Sequence, residues 1–92
     1  MKTLTTDMVQ VITTILGSKD EYELRRVALE FEDLAFLAQD LGEKSAYFHA
    51  RRALDQQAAY VRCVSRGVKL GAEACLKKRD EHLERLGVTI SQ

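Results

Sequence analysis

Between residues 24 and 41, apolar side chains return at alternating steps of three and four: Leu24, Val27, Phe31, Leu34, Ala38 and Leu41. That is the seam of an amphipathic helix, and Ala28 and Ala35 widen it. Ser18-Lys19-Asp20-Glu21 reads as a capping box ahead of the seam. Together they predict a helix over about 19–41. Upstream, Met8, Val11, Ile12, Ile15 and Leu16 share a helical face, which predicts a first helix over about 5–16 with Thr5, Thr6 or Asp7 as its cap. Its β-branched content lowers its intrinsic helix propensity.

From Glu43 to Leu86 the helical period continues. Ala46, Ala50, Ala53, Leu54, Tyr60, Val61, Val64, Val68, Ala72 and Cys75 fall on one arc, which Leu76, Leu83 and Leu86 extend. The chain has no proline, and its five glycines are the only punctuation. Gly17, Gly42 and Gly87 each follow a leucine that closes an apolar run, the usual place for a left-handed cap. Gly67 and Gly71 interrupt the last stretch. The fold class is therefore all-α, a single helical domain over 1–92 with helices at about 5–16, 19–41 and 43–86. Unbroken, the last helix spans roughly 66 Å, whereas a compact domain of this length is roughly 32 Å across. Either it breaks near Gly67–Gly71 and folds back as a fourth helix, or it stays long, with or without a kink, and another chain covers it. Because the apolar arc passes through the glycines without capping residues, the expectation is the long helix, packed in an oligomer.

A second apolar line, Tyr22, Leu29 and Phe36 at steps of seven, lies well around the helix from Leu24. It needs a cover of its own. Formal net charge is zero, yet residues 1–46 carry five basic and nine acidic side chains and residues 47–92 the reverse. Contact between the halves inside the fold is the simplest use of that asymmetry, and zero net charge lacks the footprint of a nucleic-acid binder. Arg51, Arg52, Arg62, Arg66 and Lys69 nonetheless form a basic stretch able to meet phosphate or an acidic partner. No signal peptide is expected at Met1–Leu4, because no apolar stretch follows Lys2. No apolar run approaches membrane-spanning length. Cys63 and Cys75 match neither a zinc spacing nor a disulfide framework, so reduced thiols in the cytoplasm are expected.

Enzymatic motifs are missing. The sequence has no Glu-x-x-His, no His-x-x-x-His, no phosphate-cradling glycine loop and no nucleophile elbow. His49 reads as a semi-buried or rim residue and His82 as part of a solvated charged tract. No catalytic residue, metal or cofactor is expected.

Leu37-Ala38-Gln39-Asp40-Leu41-Gly42-Glu43-Lys44-Ser45-Ala46-Tyr47-Phe48 resembles the helix-turn-helix family of phage repressors and bacterial regulators. The resemblance implies a helix contact at Ala38, a turn at Gly42 and a buried anchor at Phe48. It also implies a DNA-facing set of Lys44, Ser45, Tyr47, His49 and Arg51, with Arg52 at a phosphate. Glu43 and Arg51 depart from the family's apolar or small positions. Leu34 to Leu54 is also similar to one tetratricopeptide hairpin, one residue short after the glycine, and one such unit cannot cover its own face.

The functional expectation is a small non-enzymatic protein–protein interaction module, an adaptor, regulator or inhibitor of phage-like type, acting as a homodimer or higher oligomer. Its contact surfaces are Tyr22, Leu29 and Phe36, together with the seam Ala46, Ala50, Ala53, Gln57, Val61, Val64 and Val68. In that seam Gln57 either fixes register through a buried hydrogen bond or marks the edge. The alternatives are a DNA-binding regulator using residues 34–54, and a small-ligand binder at an oligomer interface.

Overall fold

The computed structural model describes residues 5–87. Those residues form four helices and no strand: α1 (Thr6–Ile15), α2 (Glu21–Leu37), α3 (Leu41–Arg66) and α4 (Lys69–Leu86). Residues 1–4, on which the expectation about a leader falls, lie outside the described range.

Thr5 caps α1, its hydroxyl accepting from the Met8 amide. The start of α2 lies two residues later than the capping box predicts. Asp20 is the cap and accepts from the Tyr22 and Glu23 amides, while Ser18 accepts from the Asp20 amide and donates to Glu23. A carboxylate at the positive end of the helix is the better acceptor, and Glu23 adds its charge there.

The α2–α3 boundary differs from expectation in the same way. Asp40 accepts from the Gly42 and Glu43 amides at 2.7 and 3.1 Å and starts α3 at Leu41. Leu41 and Gly42 therefore belong to the first turn of α3, not to the end of α2. Ala38 goes extended, and the connection is three residues long. Of the three glycines expected as left-handed caps, only Gly87 has positive φ.

The expected continuous helix over 43–86 is two helices. Gly67 sits at φ 72°, its amide bonded to the Val64 carbonyl and the Val68 amide to that of Cys63. This is the Schellman arrangement, which closes a helix in two residues when a glycine occupies the left-handed position. Gly71 then permits close approach. A Cβ there would lie 3.1 Å from both Cys63 Sγ and Val68 Cγ1. The folded-back α4 covers much of the arc that the long-helix expectation assigned to another chain.

α3 is the axle. Its 26 residues span roughly 39 Å, nearly the full 41 Å long axis of the molecule. α2 and α4 each pack along it. Against α2 the pairing runs antiparallel along the whole hairpin: Glu21 meets Arg62, Arg25 meets Asp55, Glu32 meets Arg51, and Phe36 meets Phe48. Ile12 of α1, Leu24 and Phe31 of α2, Leu54 of α3 and Leu83 of α4 share one core.

Candidate functional site

Two surfaces stand apart from this packing. The first is the outer side of α2. Tyr22, Leu29 and Phe36 are 85%, 56% and 67% exposed. They point away because the facing seam, Leu24, Val27, Ala28, Phe31 and Ala35, is consumed by the core. The ridge is interleaved with charge: Arg26 lies one turn after Tyr22 and Asp33 one turn after Leu29, and both are exposed. Leu37 and Leu41, which follow it in the chain, are also exposed, and Phe36 meets Phe48 edge-to-face at 5.9 Å. Edge-to-face aromatic pairs of this kind add to the gain from simple burial, so the ridge ends in an aromatic contact with α3.

The second surface is the α3–α4 seam. Ala46, Ala50, Ala53 and Gln57, expected at an oligomer contact, are buried within this chain. Gln57 accepts from Arg79 Nη1 at 2.8 Å, so the buried hydrogen bond envisaged for it exists and ties α3 to α4. Asp80 completes the pairing, taking Arg79 Nε and Nη2 at 2.9 and 2.7 Å. Val61 is partly buried, while Val64 and Val68 stay exposed near the turn. There an open cleft of about 380 Å³ is lined by residues including Tyr60, Val64, Val68 and Leu76.

The basic stretch separates into different roles. Arg62 holds Glu21 through a two-pronged pair, and the guanidinium keeps the Glu21 carboxyl below the usual carboxylate range. Arg51 Nε lies 3.5 Å from both Glu32 and Asp55. The charge asymmetry of the two halves is thus partly used within the fold, between α2 and α3. Arg52, Arg66 and Lys69 are exposed and make no ion pair among the described residues.

The positions implied by the helix-turn-helix resemblance are spread over several environments. Tyr47 is buried and donates to Glu43, Arg51 is tied to carboxylates, Lys44 and His49 are partly buried, and Ser45 is exposed. The α2–α3 pair is a long antiparallel hairpin, whereas that motif sets two short helices at roughly 90–120°.

Sequence reasoning missed one arrangement. His49 and His82, 33 positions apart, meet across the α3–α4 seam with their Nδ1 atoms 3.1 Å apart. No local signal announces this contact, because it exists only once the chain reverses at Gly67. Cys63 and Cys75 likewise interact across the seam. Burial first, then its neighbour Cys63, raises the Cys75 thiol. Among the described residues no group of three or more His, Cys, Asp or Glu is placed to hold a metal ion, and no helix is long and apolar enough to cross a membrane.

No protein-family model, curated protein or solved structure matches the chain.

Proposed function

We propose that this protein is a small non-enzymatic helical interaction module that works as a homodimer, with the outer ridge of α2 as its docking face. The observation that carries the reading is the row Tyr22, Leu29 and Phe36, three large apolar side chains at heptad spacing on a helix whose other side already fills the core. Rigid aromatic anchors of this kind concentrate binding energy at interfaces.

The ridge is complementary to itself. Set antiparallel about Leu29, two copies of α2 place Tyr22 opposite Phe36 and Arg26 opposite Asp33 at both ends, an isologous contact that closes on a two-fold axis. Light scattering is expected to give twice the chain mass, and Leu29→Asp to return it to one copy with the helical content unchanged. Arg26→Asp is expected to weaken the dimer, and Arg26→Asp with Asp33→Arg to restore it. A wild-type chain that is monomeric at high micromolar concentration would remove this reading.

A further inference from the structure

Cys63 on α3 and Cys75 on α4 are free thiols, and both are partly exposed. Twelve positions separate them in the chain, and the reversal at Gly67 sets them against each other. Two features of the α3–α4 seam fix that meeting. From the Gln57–Arg79 hydrogen bond, Cys63 lies six residues on along α3 and Cys75 four residues back along α4. The helices are antiparallel, so those steps, roughly 9 and 6 Å, run toward the same end of the seam and stop nearly level. Gly71 lies one turn before Cys75 on the same face of α4. A Cβ at Gly71 would lie 3.1 Å from Cys63 Sγ. The missing side chain therefore lets the Cys63 sulfur rest on the surface of α4 that carries Cys75. The two thiols are hydrogen-bond partners across the gap.

We propose that Cys63 and Cys75 form a reversible dithiol–disulfide couple, oxidised by a small-molecule disulfide, that cross-links α4 to α3. Cys63 lines the open cleft beside the turn, together with Tyr60, Lys69 and Glu73, and a small disulfide RS–SR reaches it there. The Cys63 thiolate attacks one sulfur, forming a mixed Cys63–SR disulfide and expelling RS⁻, which takes up a proton. Cys75 is the resolving thiol. Burial first, then its neighbour Cys63, keeps it protonated, while Lys78 pulls the other way. It therefore acts second: it gives up its proton, attacks Cys63 Sγ and releases the other half of the reagent as RSH. Two protein thiols are oxidised to one disulfide, and RSSR is reduced to two RSH. A zinc site of the structural kind takes four ligands, and among the described residues no third His, Cys, Asp or Glu joins the pair.

The bond closes a short loop around the left-handed turn at Gly67. Closing it removes freedom from the unfolded chain and leaves the folded hairpin in place, so oxidation stabilises the fold.

The test equilibrates the full reduced chain with mixtures of reduced and oxidised glutathione, quenches with N-ethylmaleimide and reads intact mass without reductant. A species lighter by two hydrogens, with neither cysteine alkylated, is expected, and dithiothreitol is expected to reverse it. Its melting temperature is expected to exceed that of the reduced chain by about 5 °C or more. In concentrated guanidinium chloride closure is expected to be at least about tenfold less favourable, because the unfolded chain no longer holds the thiols together. Cys75→Ser is expected to hold one glutathione on Cys63, and Cys63→Ser to take one up on Cys75 more slowly. A chain that carries two glutathiones and no internal bond overturns the proposal, as does one that stays fully alkylated in the most oxidising mixture. So does a disulfide-linked dimer as the main product, closure equally favourable in denaturant, or a melting temperature that falls on oxidation.

Discussion

The α2–α3 and α3–α4 hairpins share one helix and are fastened to it by opposite means. α2 is held by apolar side chains inside and by ion pairs at the rim, Glu21 with Arg62, Arg25 with Asp55 and Glu32 with Arg51, all partly solvated. α4 is held by fewer large apolar groups, chiefly Leu83 and Leu86, and by polar contacts within the seam: Arg79 on buried Gln57, His49 on His82. Rim pairs are replaceable and screened by salt, while a buried polar group that loses its partner is left with its desolvation cost. The first hairpin should therefore tolerate loss of its polar ties, and the second should not.

The largest test is of the core that unites them. Leu24→Ala on α2 and Leu83→Ala on α4 each remove a fully buried side chain and are expected to cost about 2–5 kcal/mol by chemical denaturation. A single transition in both variants would keep the hairpins one cooperative unit, and two separated transitions would divide them. Next comes Gln57→Ala, which strands Arg79 Nη1 and is expected to cost about 1–3 kcal/mol. Gly67→Ala follows, forcing a side chain into the left-handed conformation at a cost of about 1–2 kcal/mol. Its measured effect should be on stability, with helix content retained.

Acid separates the two hairpins without mutation. Both histidines titrate below 6.5 in the fold, so the unfolded chain binds more protons as pH falls past that value. Their contribution is complete above 6.5 and is lost as pH drops through the lowered folded values. Glu21 is held below its ordinary 4.5, so its contribution persists to lower pH and fades only beneath that point. Melting curves are expected to show a first decline below pH 6.5 that His82→Gln reduces, and a later one below pH 4.5 that Arg62→Ala reduces. At neutral pH Arg62→Ala is the mildest change here, and added salt should erase most of what it does.

The contrast between the hairpins also governs how much could be read in advance. The buried face of α2 and its exposed back are both written in the period of Leu24, Val27, Phe31 and of Tyr22, Leu29, Phe36, because those positions lie on one rigid helix. The caps at Asp20 and Asp40 were within reach too: each aspartate is followed three residues later by a glutamate, the spacing of a helix start. At Leu41-Gly42 an apolar residue before a glycine imitated a helix end and concealed it. The reversal at Gly67 had no such sign, since Val68 supplies no side-chain cap to α4 and the apolar arc runs on past it.

Alone, the sequence determined the helical class, the inner seam of α2 and the outer ridge, all of which follow from spacing along single helices. Tertiary structure decided that residues 43–86 fold back, that Ala46, Ala50, Ala53 and Gln57 face the chain's own α4 side and core, and that His49 meets His82. Those outcomes depend on a left-handed turn at Gly67 and on close approach at Gly71. Their free-energy gain comes from contacts between residues far apart in the chain, which no local periodicity records.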